Sequence, residues 1–354
     1  MRRFLLPAAC LVVAGCYTPD RADRDEVVLK PPASWVAKAA PEGDVQGDWW
    51  LRFRSPELNA VIEQTLANNP DLRQAEARLF QAASLARIAG ADLYPTLDAN
   101  FNPTRQRLNF IGIFPGAVQS RTFNNFGVNL STAWELDIWG RIRAGRKAAV
   151  ADLESSVEDL RALRQSLAAQ SAKAWLAVAE AREQLDLARR TVTSFRSTEV
   201  QVRDRFERGV RSPLDVRLAR VNLAAGEANE QLWSQRLAAA VRQLETLQGY
   251  YPAGRSKTEV KMPQAPGPVP TGLPAELLKR RPDLLALEHR LVAAGFRVDQ
   301  AQAALYPRIS LTSTGGTASD ELSDLGNSSF FAWSVAGNLV QHKWIWTLEK
   351  IKPK

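Results

Sequence analysis

Between Gly145 and Gly209 the chain runs for 63 residues without a glycine or a proline. Those two residue types cost a helix interior most, so nothing in the stretch 146–208 interrupts a helix. At 1.5 Å per residue such a helix is roughly 95 Å long. Its packing side is written into the same stretch. A 4-3 spacing starts at Leu153 and passes through Val157, Leu160, Arg164, Leu167, Ser171, Ala174, Val178, Ala181, Leu185, Ala188, Val192, Phe195, Glu199 and Val202 to Phe206. Thirteen of these sixteen positions are apolar, the exceptions being Arg164, Ser171 and Glu199. So sustained a heptad predicts a helix packed lengthwise on other helices. The seam alanines, Ala174, Ala181 and Ala188, let those neighbours approach closely.

The rest of the chain is organised around this rod. Gly209, Val210, Arg211, Ser212 and Pro213 break it, and a second helix is expected from about 214 to 248, ended by Gly249 and Pro252. Upstream, a proline- and aspartate-rich arm at 16–54 leads to a helix starting near Ser55 and Pro56, a good cap and first-turn pair. That helix pauses at Asn68, Asn69 and Pro70 and stops at Tyr94 and Pro95. From about 96 to 136 the period changes to two. Val128, Leu130, Thr132, Trp134 and Leu136 alternate with Asn129, Ser131, Ala133 and Glu135, which predicts strands with one greasy and one wet face. An earlier strand fits around 97–108, joined through 111–120. Strands of about 9–11 residues are what a tilted transmembrane strand requires.

A copy of this pattern follows the proline-rich linker at 253–274. With a constant offset and no gap, 70–95 and 282–307 share 12 of 26 residues. The shared set includes Pro70, Asp71 and Leu72 with Pro282, Asp283 and Leu284, and Leu93, Tyr94 and Pro95 with Leu305, Tyr306 and Pro307. Strand-like alternation again follows, at Ile309, Leu311 and Ser313 and then at Phe331, Trp333, Val335, Gly337 and Leu339. The chain therefore reads as helix, strand, strand, helix, helix at 55–252, and as an incomplete second copy at 275–341.

Both cysteines lie in the first sixteen residues, so no disulfide framework or cysteine cluster is available downstream. The opening Met1, Arg2 and Arg3, followed by an apolar run and small residues, makes a secretory leader at 1–15. Val13, Ala14, Gly15 and Cys16 are similar to a bacterial lipobox, which implies lipid on Cys16. Tyr17 stands where an inner-membrane retention signal would place aspartate, which implies outer-membrane sorting. No later segment is long and apolar enough for a membrane helix, so a membrane could be crossed only by a β-barrel. The net charge of +8 is spread along helical stretches rather than gathered, and a nucleic-acid partner is not expected. No catalytic constellation, phosphate-cradling loop or metal spacing is present in the sequence, and no cofactor is expected. Of the two histidines, His289 sits on a patterned helix and is read as a surface residue, while His342 falls in the tail.

Taken together, these elements resemble the TolC-like outer membrane factors, especially the NodT-type lipoproteins of tripartite efflux systems. The resemblance spans about 16–341 and rests on several stretches. They are Asp48-Trp49-Trp50, Asn69-Pro70-Asp71-Leu72, Trp134-Glu135-Leu136-Asp137-Ile138-Trp139-Gly140-Arg141, Arg208 to Val216, and Gly272-Leu273-Pro274 with Arg281-Pro282-Asp283-Leu284. It implies a mainly α fold of long coiled helices with a membrane β-barrel part. It further implies a homotrimer whose four strands per protomer close one outer-membrane barrel, extended by helices into the periplasm. A periplasmic adaptor and an inner-membrane pump would be its partners, and solute would move without chemistry in this subunit. The turn carrying Gly209, Val210, Ser212 and Asp215 matches the family's periplasmic tip, where the adaptor docks and where the aspartate takes part in closing the pore; Asp215 also reads simply as a helix N-terminal residue beside Pro213. A type I protein-secretion exit duct and a lipid-anchored periplasmic adaptor or scaffold are the alternatives. Residues 342–354 depart from the family, carrying four lysines and no arginine where residues 1–341 carry only seven lysines. That shift leads to the expectation of a frameshift or gene break, and of a truncated, defective channel.

Overall fold

The computed structural model describes residues 47–111, 118–254, 262–267, 278 and 280–341, with the side chains of 110–119 excepted. The leader, Cys16, most of the arm and of the linker, and the tail lie outside the described residues.

A short turn of 3-10 helix, Trp49–Phe53, precedes α1 (Pro56–Asn68). Ser55 opens α1 by accepting the Leu58 N–H at 3.2 Å, and Pro56 fills the first helical position, where no N–H is missed. The pause that follows is a single residue. Asn69 leaves the helix with an extended backbone and accepts the N–H groups of Asp71 and Leu72 at 2.8 and 3.3 Å, which starts α2 (Pro70–Ala91). Its side-chain amide donates to the Leu247 carbonyl at 2.9 Å, so one buried asparagine ends one helix, caps the next and holds a third.

After α2 come β1 (Thr96–Ile111) and β2 (Val118–Glu135), then α3 (Arg141–Glu207) and α4 (Pro213–Leu247). The second copy supplies α5 (Pro282–Ala303), β3 (Arg308–Ser319) and β4 (Phe331–Val340). The repeat is visible as geometry: α2 and α5 each have 22 residues, and both the two helices and the strands after them begin 212 positions apart.

The rod is α3, 67 residues and about 100 Å long, and α1, α2, α4 and α5 all lie along it. From Leu167 to Val192 the expected seam is the buried one, through Ser171, Ala174, Val178, Ala181, Leu185 and Ala188; beyond it Glu199 is buried, Phe195 and Val202 are half-buried and Phe206 is exposed. Ser171 is tolerated there because its hydroxyl donates to the Leu167 carbonyl at 2.8 Å. Nearer the start of α3 the seam differs from expectation. Leu153, Val157 and Leu160 are only half-buried, whereas Ala144, Ala148, Ala151, Ser155 and Glu158 are buried. At that end α2 and α5 both lie against the rod, so its small residues face the neighbours. A core cluster joins α1, α3, α4 and the short turn, with Trp50, Leu58, Ile62, Val178 and Leu244 around a fully buried Trp175.

Charges align these helices. Arg290 meets Asp159 at 2.5 Å and Arg297 pairs with Asp152, seven residues apart on both α5 and α3. His289, partly exposed, has Nδ1 3.1 Å from Glu154 of α3. Arg196 meets Glu227 at 2.9 Å and Arg189 meets Glu230 at 3.4 Å between α3 and α4. Half-exposed pairs of this kind add little stability singly; their repeat spacing selects one axial alignment.

All four strands form one antiparallel sheet in chain order, with β2 of the first copy paired to β3 of the second. The register divides the sheet into two faces. Leu97 and Phe101 share a face with Val128, Leu130, Trp134, Leu311, Phe331, Trp333, Val335 and Leu339. Asp98, Asn100, Asn102, Asn129, Ser131, Thr312, Thr314, Ser334 and Asn338 lie on the other. The first hairpin is longer than expected, with strands of 16 and 18 residues, because pairing continues past Pro103 and Phe126 into a polar stretch.

Candidate functional site

Two places concentrate chemistry of position rather than of reaction: the turn between α3 and α4, and the junction where sheet becomes helix. Among the described residues no group of three or more histidine, cysteine, aspartate or glutamate side chains could hold a metal ion. No described helix is long and apolar enough to cross a membrane.

At the turn, Gly209 takes a left-handed backbone (φ +73°), which an L side chain would resist. That lets the Gly209 and Val210 N–H groups return to the Phe206 and Arg205 carbonyls at 2.8 and 2.9 Å, closing α3. Three residues later Ser212 and Asp215 cap each other: the Asp215 N–H donates to Ser212 Oγ at 3.3 Å and the Ser212 N–H to Asp215 Oδ2 at 3.1 Å. The Arg211 guanidinium stands 4.0 Å from the same carboxylate. Asp215 is therefore a helix-capping residue within this chain, and the tight turn it makes pushes Val210 and Leu214 out, 70% and 64% exposed. Two turns back, buried Glu199 binds Arg203 of its own helix and Arg220 of α4 at 3.3 Å, and the Arg203 guanidinium holds its carboxyl below the usual range. The hairpin end is tied by its own hydrogen bonds and has an apolar point.

The junction is built from Trp134 to Arg141, whose roles no periodicity announces. The Trp134 indole N–H donates to the Leu93 carbonyl at 3.0 Å, and that of Trp139 to the Pro307 carbonyl at 2.8 Å. Trp139 also stacks on Tyr306, ring centroids 4.8 Å apart. The two repeated Leu-Tyr-Pro corners are thus gripped by one segment lying between them. Arg141 forms a two-pronged pair with Glu135 at 3.0 and 2.8 Å. Gly140 is the N-cap of α3 and offers no side chain, so Asp137 supplies the cap from three residues upstream, accepting the Ile142 and Arg143 N–H groups at 3.0 and 2.9 Å. An indole needing a partner and an aspartate before a glycine are the signals by which the sequence could have shown this.

Burial raises the Asp137 pKa, but the Arg143 and Ile142 N–H groups and the Arg143 side chain outweigh it, and the carboxyl lies below its usual 3.8. A carboxylate with a depressed pKa stabilises the fold fully above its unfolded value, and that contribution fades as pH falls through the depressed one. Asp137→Ala is accordingly expected to cost about 1–2 kcal/mol at neutral pH. The gap between variant and parent should close in acid, which urea titrations at neutral pH and below the usual carboxylate range would measure.

The likeness to known proteins follows the same parts. A family model described as outer membrane efflux protein matches residues 61–250 and 273–342. The toluene efflux pump outer membrane protein TtgF of Pseudomonas putida is 35% identical over 301 residues, covering 84% of this chain. This chain spans 62% of that relative's length. The pyoverdine export outer membrane protein OpmQ of Pseudomonas aeruginosa is 30% identical over 351 residues, 96% of this chain and 72% of the relative. Among solved structures, the outer-membrane channel OprN superposes with a TM-score of 0.80 at 29% identity, over 91% of this chain and 72% of that one.

Proposed function

From the premise that this chain belongs to the outer membrane efflux protein family, we propose that it forms part of the wall of an outer-membrane exit duct. Through that duct an inner-membrane pump would expel small solutes. The observation that carries this reading is the single sheet drawn from both copies, apolar on one face and polar on the other, continuous through a capped junction with a 67-residue helix. A two-faced sheet suits a wall between lipid and water, and the helices would carry the passage on into the periplasm. A lipid-anchored adaptor would keep its strands in separate small domains, whereas here strands of both copies join.

In lipid, β1 and β4 cannot stay unpaired on their outer sides, since every backbone group must find a partner there. Each is paired on one side only among the described residues. We infer that copies of the chain close the barrel edge to edge, as a homotrimer, and that Cys16 carries the lipid that holds it at the outer membrane. TtgF is named for toluene and OpmQ for pyoverdine; this chain's cargo is proposed to be small organic molecules chosen by the pump. The chain itself performs no reaction in this reading.

The exposed apolar point of the α3–α4 turn, with Val210 and Leu214 held out by the Ser212–Asp215 capping box, is proposed as the surface that meets the adaptor. Cysteines placed at Val210 or Ser212 are expected to crosslink to a cognate adaptor in intact cells. Labelling of those cysteines by a membrane-impermeant reagent from outside the cell would instead reverse the orientation and end the proposal. Cys16→Ser is expected to accumulate as unprocessed precursor on immunoblots; normal processing of that variant would rule out the lipoprotein route.

A further inference from the structure

Arg105 and Arg107 continue the apolar face of the sheet beyond its greasy part. On β1 the outward positions are Leu97, Ala99, Phe101 and Pro103, and the next two on the same face are the arginines. At about 3.3 Å per residue they stand roughly 7 and 13 Å past Pro103 along the strand. The apolar stretch itself, from Trp134 to Phe126 on β2, is roughly 26 Å along the strand, or about 20 Å of height at the tilt of barrel strands, most of a lipid-facing band of about 25 Å. The pair therefore sits at the band's rim, on the side away from the helices.

Their cross-strand partners offer no counter-charge. Across the ladder Arg105 faces Asn124 and Arg107 faces Thr122, both neutral. Carboxylates are present in the nearby turn after β3, at Asp320, Glu321 and Asp324, but neither arginine makes a hydrogen bond or ion pair among the described residues. Both side chains are exposed. Arg121, by contrast, lies on the polar face, its guanidinium 5.4 Å from the Phe123 ring centre.

We propose that Arg105 and Arg107 bind the phosphate groups of lipid headgroups in the leaflet that meets this rim. Two arginines on one face with their Cα atoms about 7 Å apart suit phosphate oxygens, which arginine takes with paired N–H donors. The apolar face running on below them offers a place for the acyl chains of the same molecule. A free phosphate would use only the upper half of this arrangement; a lipid uses both. The proposal rests on the reading of the sheet as a membrane wall.

The test is flotation of the purified full chain with phosphatidylcholine vesicles, alone or containing lipid A with both phosphates. Plain vesicles should capture the chain, and lipid A should tighten capture about tenfold at low salt, with the increment shrinking at high salt. R105Q/R107Q should still float with plain vesicles, which shows that it folds and inserts, but should lose the lipid A increment. R105K/R107K should keep part of it, and R121Q all of it. An unchanged increment in R105Q/R107Q, or an equal loss in R121Q, overturns the proposal while leaving the membrane reading intact. Abolition of the increment by inorganic phosphate in solution would assign a free anion and overturn the lipid. Failure of the parent chain to float with any vesicle overturns the membrane reading and this proposal with it.

Discussion

Gly316→Ala is expected to separate the two halves of the sheet. The new Cβ would stand 2.2 Å from the Val128 carbonyl oxygen and 2.7 Å from the Asn129 Cα, both backbone atoms of β2. No side-chain rotation relieves such an approach, so β3 would have to leave β2 or β2 to bend. The cost should be about 3 kcal/mol or more, the upper end for a crowded interior. In detergent, the variant should lose strand signal in circular dichroism at a lower temperature, and protease should cut within 308–340. Gly337→Ala is the matched control: it lies in β4 with nothing within 4 Å of its Cβ position, and should melt close to the parent. Equal melting of both variants would mean that the β2–β3 register is wrong.

Trp175→Ala should be the most damaging change in the helical part. Trp175 is fully buried, and its cluster is where α1, α3, α4 and the Trp49–Phe53 turn meet. Emptying a site of that size costs about 3–5 kcal/mol, depending on how far the walls collapse. The indole N–H finds no partner in the core, so Trp175→Phe removes an unsatisfied donor along with some volume. It should cost well under half as much. Urea midpoints of the two variants give the comparison, and a phenylalanine variant as weak as the alanine one would show that the indole shape, not bulk, is what the cluster needs.

Periodicity told much about the rod and little about its surroundings. A heptad records one stripe, and from Leu167 to Val192 α3 buries that stripe. Before it, two helices flank the rod, so the buried positions from Ala144 to Glu158 follow a different stripe, and Leu153 loses its expected place in the core. Trp175 escaped for a related reason: it is one position off the seam, on the side that α1 covers. The repeat predicted α2 and α5 well because identical residues at a fixed offset must fold alike. That β2 pairs with β3 was not legible, since ladder partners so far apart leave no local trace. Gly316 went unremarked for the same reason; its need for smallness comes from a strand of the other copy. At the candidate sites, Asp215 was readable as a helix N-terminal residue beside Pro213, whereas the grips of Trp134 and Trp139 depend on carbonyls distant in sequence.

The heptad-spaced pairs Asp152–Arg297 and Asp159–Arg290 reach further than the helices they join. Helix α5 runs into β3 through Leu305, Tyr306 and Pro307, and Trp139 fastens the Pro307 carbonyl to the foot of α3. An axial shift of α5 by one helical turn, about 5.4 Å, would part both ion pairs and drag β3 by more than one residue along β2. A slip of a single residue already turns every side chain of a strand to the opposite face. In the proposed duct, which residues of β3 would meet lipid and which the passage is thus set outside the membrane, by arginines and aspartates of the helical part. The helical rod acts as the ruler against which the membrane part is cut.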